Sequence, residues 1–334
     1  MLISTKACAF RWKINAKVKN KRIVELSHAV SEFFFRLKNY SWVRRAPVPT
    51  DRILVFNVDD SHMYSGGMAD RFKGAVSAYA WCKCNGIGFR IRYIHPFDIS
   101  DYLIPGSYDW RLREGEYSRC FRDARVLYAR GERGRRLLKL DESRQIHYYG
   151  NMDVLPAINA HYGTDYRWGE LYKELFSPGD AIVSQLEELK EKIGAPYVSA
   201  VFRFQNLLGD FEEYSFKSES DEERKKVMVS KCMDGIRRIQ AAHPGMPVLI
   251  TSDSVTFLKM VSELQGVHVI PGKVVHVGSC SGEAFDTYLK SFVDFYMLSG
   301  SRKIYGLHTE EMYKSEFPMY AAKIEDIPFE RMAL

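Results

Sequence analysis

Apolar positions along the chain fall into short compact runs separated by longer stretches with a helical period. Residues 52–58 (RILVFNV) form one such run, suited to a buried strand. A polar, glycine-containing turn follows over 59–67, then a helical pattern over 69–84 and a second strand pattern over 88–94. This is a strand–loop–helix–strand unit, with its loop at the carboxyl end of the first strand. Residues 111–136 are rich in Arg and predict mostly surface, and 137–149 supply a further strand or hairpin. A helix is expected over 165–176, ended by Ser177-Pro178-Gly179. Beyond it the alternation is regular. Residues 180–192 put Ile182, Leu186 and Leu189 on one helical face. Strands are expected at 197–204, 246–251, 267–270 and 303–307, and helices at 221–243, 255–264, 286–299 and from 316. Strands alternating with helices predict parallel sheets with right-handed crossovers.

At 334 residues the chain exceeds one ordinary core. The pattern divides it into a basic segment over 1–50, an α/β domain over 51–175 and a second α/β domain over 176–334. No apolar run is long enough for a transmembrane helix, and the first residues lack the apolar core of a secretory signal. A cytoplasmic protein is expected. Six scattered cysteines, with Cys82 and Cys84 too close for a zinc ribbon, fit reduced thiols.

Charge changes the picture at one end only. Residues 1–50 hold eleven Lys/Arg against two Glu, a net +9 within a chain total of +6. Within them, residues 21–38 carry Ile23, Leu26, Val30, Phe33, Phe34 and Leu37 at a helical period. The ordinary expectation is a helix docked by that face on the first domain. The alternative is contact with an anionic membrane surface through Phe33–Phe35 and the flanking cations. No nucleic-acid reader motif accompanies the cations.

Four junctions carry candidate chemistry. Tyr64-Ser65-Gly66-Gly67-Met68-Ala69-Asp70-Arg71 joins a strand to a helix, and paired glycines let backbone amides approach a ligand. It matches neither the P-loop nor the dinucleotide fingerprint. Val201-Phe202-Arg203-Phe204-Gln205-Asn206 places an Arg where a buried strand ends, a costly position unless an anion or carboxylate meets it. Thr251-Ser252-Asp253-Ser254 supplies a carboxylate and hydroxyls that read a base or ribose, or that cap the next helix. Ser315-Glu316-Phe317 opens the last helix after a strand. Asp59-Asp60 reads as loop solvation rather than a metal site, and no metal is expected.

With these residues in view, the sequence resembles the metal-independent GDP-fucose transferases: bacterial α1,2-, nodulation, α1,6- and protein O-fucosyltransferases. Gly66, Gly67 and Arg71 sit where the family has its glycine loop. Arg203 sits at the family's His-x-Arg motif, with Val201 where the family has His. Thr251-Ser252-Asp253-Ser254 matches the guanosine turn. Asp294, Leu298-Ser299 and Ser315 match the closing helix–strand–helix motif. Asp210 follows Arg203 after a five-residue insertion, where the family has a compact Arg-Gly-Asp.

The resemblance implies a GT-B-like fold, two Rossmann-like domains with parallel sheets facing a central cleft. It implies inverting transfer of fucose from GDP-fucose to a glycan or other hydroxyl, with no cofactor. Arg203 and Asp210 are the catalytic candidates. Gly66, Gly67, Arg71, Arg203, Asn206, Thr251, Ser252, Asp253, Ser254, Ser315, Glu316 and Phe317 are the donor-binding candidates. Asp59 is a second candidate base. Tyr108 and Trp110 are expected to stack on the acceptor. A different nucleotide sugar, or a non-catalytic binding protein that Val201 would favour, remain alternative readings.

Overall fold

The computed structural model describes residues 21–44, 52–60, 66–129, 131–140, 144–210, 219, 221–272, 274, 277 and 284–334. Tyr64 and Ser65 of the glycine turn, and the arm before residue 21, lie outside them. The described residues form two compact units, one within Met1–Gly66, Asp70–Asp98 and Ser107–Tyr166, the other within Gly67–Ala69, Ile99–Gly106 and Arg167–Leu334.

The first unit begins with a helix α1 (Lys21–Asn39) and is built on a four-stranded sheet. Its strands are β1 (Ile53–Val58), β2 (Gly88–Tyr93), β4 (Ala124–Ala129) and β5 (Gln145–Gly150), in the order β2-β1-β5-β4 and all parallel. β1 and β5 are buried along their whole length; β1 is apolar but for Asn57, whereas β5 also buries Gln145 and His147, which are hydrogen-bonded to each other. The helix α2 (Met68–Asn85) connects β1 to β2. It lies close on the sheet: a Cβ at Gly74 would fall 2.0 Å from the carbonyl oxygen of Gly150. α3 (Leu155–Tyr162) closes this unit, ended by Gly163 in the left-handed region at φ 67°.

β4 corrects the expectation of a surface segment over 111–136. Its sequence ARVLYA exposes Arg125 only in part and buries the other five side chains. The Arg-rich flanks hide a six-residue strand, because composition averaged over a long window loses a short, mostly apolar run.

The second unit contains a small antiparallel pair, β3 (Leu103–Pro105) with β6 (Phe176–Pro178), and the helices α4 (Trp168–Leu175) and α5 (Asp180–Ile193). Its main sheet comprises β7 (Val198–Phe202), β8 (Val248–Ser252), β9 (Val267–Val269), β10 (Ile304–His308) and β11 (Phe329–Ala333). The order is β11-β10-β7-β8-β9, all parallel. β11 has no run of apolar residues and forms the sheet's edge, so periodicity gives no sign of it.

Four helices complete this unit: α6 (Glu222–Ala242), α7 (Val255–Val261), α8 (Phe285–Ser299) and α9 (Phe317–Glu325). One face of the sheet, carrying Val198, Ala200, Phe202, Val248, Ile250, Tyr305 and Leu307, packs on Cys232, Ile236 and Ile239 of α6 and Phe257 and Leu258 of α7. The opposite face meets α9, where Pro318 lies 3.8 Å from the position of a Cβ on Gly306. Helices on both faces explain why the central strands β7, β8 and β10 are buried at every position.

The described cysteines, Cys82, Cys84, Cys120 and Cys232, are all free thiols. Burial pushes the Cys232 thiol up to about 12, which makes it inert at neutral pH.

Candidate functional site

In the second unit the chain runs from β7 outward through β8 to β9, then returns to the other side of β7 as β10. The crossovers from β7 and from β10 leave toward opposite faces of the sheet. β7 and β10 therefore flank a topological switch point, the place where open α/β sheets leave a crevice at their carboxyl edge. Val201 pairs with Gly306 and Phe202 with Leu307. Arg203 and His308 are thus the neighbours that stand at that edge.

Arg203 is fixed there by Asp253. Its Nη1 lies 3.0 Å from Asp253 Oδ2, with the Arg side chain 17% exposed and the Asp 1%. The same carboxylate accepts from the backbone amides of Phe204, at 2.8 Å, and Gln205, at 2.7 Å. Gln205 holds φ at 55°, a left-handed backbone that a non-glycine residue adopts only when its surroundings demand it. The Arg203 carbonyl accepts from Tyr313 N at 3.3 Å, which ties the loop after β10 to the end of β7. Burial pushes the Asp253 pKa upward, and the Arg203 charge and the two amides oppose that shift.

The turn 251–254 is tied to the end of β7 and to the start of α7. The Asp253 carboxylate, expected to read a base or ribose, here meets Arg203 and the amides of the β7 loop. Ser254 caps α7, accepting from Phe257 N at 3.0 Å, and donates to Asp210 Oδ2 at 2.9 Å. Asp210 Oδ2 also accepts from Thr256 N at 2.7 Å. Asp210 thus braces the start of α7, which is a poor state for a catalytic base. Its Oδ1 is buried without a partner among the described residues. Thr251 and Ser252 are buried in β8, and Ser252 Oγ accepts from Ser254 N.

Ser315 stands before α9 and its Oγ accepts from Phe317 N at 3.2 Å, while the Phe317 ring packs on Phe295. Glu316 is the exposed N-cap residue of that helix. Asn206 is half-buried in the turn after Arg203. Asp294 accepts both its hydrogen bonds from Lys290 Nζ, at 2.6 and 2.7 Å, in a buried pair one turn apart on α8.

His308 was not singled out by sequence. It is buried at the end of β10, and its Nδ1 has no partner among the described residues. Burial and the nearby Lys314 charge lower its pKa. The signal available was its place one residue past the predicted strand 303–307.

In the first unit, Arg71 bridges the glycine turn and the end of β2. It donates to the Gly66 carbonyl at 3.1 Å, to Tyr93 Oη at 2.6 Å and to the His95 carbonyl at 2.9 Å. Gly66 has φ 76°, and a Cβ there would fall 2.3 Å from Asp70 Oδ2. The turn demands the glycine, and Arg71 braces it against the end of β2. Asp59 accepts from Arg92 Nη1 at 2.8 Å and from Tyr149 Oη at 3.1 Å. Trp110 is 2% exposed, so its ring offers no face to an acceptor sugar. Tyr108 is half-buried, bonding the Phe89 backbone and packing on Tyr79. Among the described residues no group of three His, Cys, Asp or Glu is placed to hold a metal ion.

No protein-family model matches the sequence, and no curated protein matches it significantly. Solved structures do. The fucosyltransferase NodZ from Bradyrhizobium superposes with a TM-score of 0.54 at 12% identity, over 82% of this chain and 92% of that one. NodZ α1,6-fucosyltransferase soaked with GDP-fucose gives 0.51 at 12% identity, over 82% and 93%. A variant of Arabidopsis thaliana FUT1 in complex with GDP gives 0.51 at 11% identity, over 90% and 73%. At such identities the likeness speaks for architecture, and the mixed α/β chain with its parallel sheets has the fold of the GT-B fucosyltransferases.

Proposed function

We propose that the protein is a glycosyltransferase that moves fucose from GDP-fucose to a hydroxyl of a glycan or other acceptor, with inversion and without a metal, in the cytoplasm. The observation that carries this reading is Arg203 at the switch point of the second unit. Its guanidinium is held by a buried carboxylate yet stays partly open to solvent. A cation so placed can pair with a diphosphate bidentately and offset the charge that develops as GDP departs, the service a metal gives elsewhere. The likeness to NodZ soaked with GDP-fucose supports the choice of donor. In this reading Ser315 and the start of α9 face the donor phosphates or ribose, and Asp253 acts by aiming Arg203.

The test is stabilisation by nucleotide. GDP at about a hundred times its Kd raises stability by about 2.7 kcal/mol, while UDP leaves the melting curve unchanged. Stabilisation by UDP and not GDP would assign another nucleotide sugar. GDP binding with neither hydrolysis nor transfer of GDP-fucose would identify a binding protein, the reading that Val201 favours.

A further inference from the structure

α1 is amphipathic in the reverse sense to a docked helix. At about 100° per residue, Leu26, Val30, Phe33 and Leu37 fall within an arc of about 60°, with Phe34 beside them. All five are exposed, Phe33 by 58% and Phe34 by 63%. Phe35 lies on the opposite side of the helix, buried against Tyr149 and Tyr40. Arg36 on the same turn donates to the Val126 carbonyl and to Glu32. Among the described side chains the helix is thus anchored to β4 and β5 by Phe35 and Arg36, and the five exposed apolar residues face away from them. Among the described residues the helix meets the first unit through Phe35 and Arg36 and not through this stripe, whose Ile23 lies outside the described side chains. Trp42, 71% exposed, and Val43 extend the apolar surface past the end of the helix.

We propose that this face lies on an anionic lipid bilayer, with the axis of α1 in the plane of the interface. A wide apolar stripe rich in Phe, with a nearby Trp and many cations, is the composition of a helix that sinks its apolar side to the headgroup–acyl boundary. The charge decides between a bilayer and a second copy of the chain. Residues 1–50 carry +9, while the rest of the chain is net negative. Two such segments meeting face to face would repel, whereas acidic headgroups attract each Lys and Arg near the surface. Since no helix among the described residues is long and apolar enough to cross a membrane, the contact is peripheral. It does not depend on the nucleotide reading.

The test is flotation of the full chain with vesicles of phosphatidylglycerol and phosphatidylcholine, against vesicles of phosphatidylcholine alone. The chain should float with the anionic vesicles, and the fraction bound should fall as salt rises. The double variant Phe33→Ser/Phe34→Ser should bind at least about tenfold less, because two large apolar side chains no longer enter the lipid. Both positions are exposed, so its circular dichroism and melting temperature should match those of the parent. Equal binding by the double variant, or no binding by the parent chain, overturns the proposal. So does a concentration-dependent dimer in solution that the double substitution abolishes, since the face would then belong to a second copy.

Discussion

Arg203 and Asp253 are paired, yet the proposed reading gives them separable duties, and two substitutions divide them. Arg203→Gln removes the charge and leaves a shorter, neutral amide in its place. The carboxylate retains its amide bonds from Phe204 and Gln205, so the fold should lose only about 1 kcal/mol, roughly 2–4 °C in Tm. A diphosphate loses a charge-assisted pair, about 1.5–3 kcal/mol, or about 10- to 150-fold in GDP affinity. Asp253→Asn does the reverse. Its amide turns an NH2 toward donors, leaves at least one buried N–H unsatisfied and frees the Gln205 backbone from its left-handed conformation. That should cost about 2–4 kcal/mol, or roughly 5–15 °C. GDP binding should weaken as well, because Arg203 loses its aim. Calorimetric titration with GDP beside thermal melts measures both quantities. If Arg203→Gln bound GDP as tightly as the parent, or melted as early as Asp253→Asn, the guanidinium would be structural and the argument for a donor site would fail.

Two further outcomes follow from the first unit. Gly66→Ala should destabilise by clearly more than Gly86→Ala. Both have positive φ, worth about 1–2 kcal/mol for an L residue, but a Cβ at Gly66 would lie 2.6 Å from Asp70 Cβ while Gly86 has open space around it; urea melts of the two variants give the comparison, and equal losses would remove the steric part. His147, fully buried against Tyr117 and bonded to Gln145 and Tyr40, has its pKa pushed down to about 3 by burial, with the Arg92 and Arg119 charges adding. Because the folded value lies below the unfolded one, its contribution is complete above pH 6.5 and is lost as pH falls toward 3. Moving from pH 7 to pH 5 should cost about 2 kcal/mol, and a His147→Gln variant should show a smaller drop over the same interval.

Much of the architecture follows from one-dimensional pattern. Buried strands such as β1, β7 and β8 are mostly apolar runs, and helices such as α5 and α6 repeat at 3.6 residues, so both are readable without coordinates. The location of the candidate site was legible for the same reason: Arg203 follows a buried strand, and an unpaired charge cannot be stranded there. Pattern fails where the neighbours decide. β4 and β11 become strands because sheet edges capture them. The sequence placed Asp253 and Ser254 near Arg203, but only the paired registers of β7 with β8 and β10 reveal that Asp253 serves the 203–205 loop, that Asp210 braces α7, and that His308 stands beside Arg203. In α1 the amphipathic period was plain from sequence. Which side it turns outward was settled by Phe35 and Arg36 meeting β4 and β5, since a helical wheel fixes the angles between side chains and leaves the direction of the helix in space to its contacts.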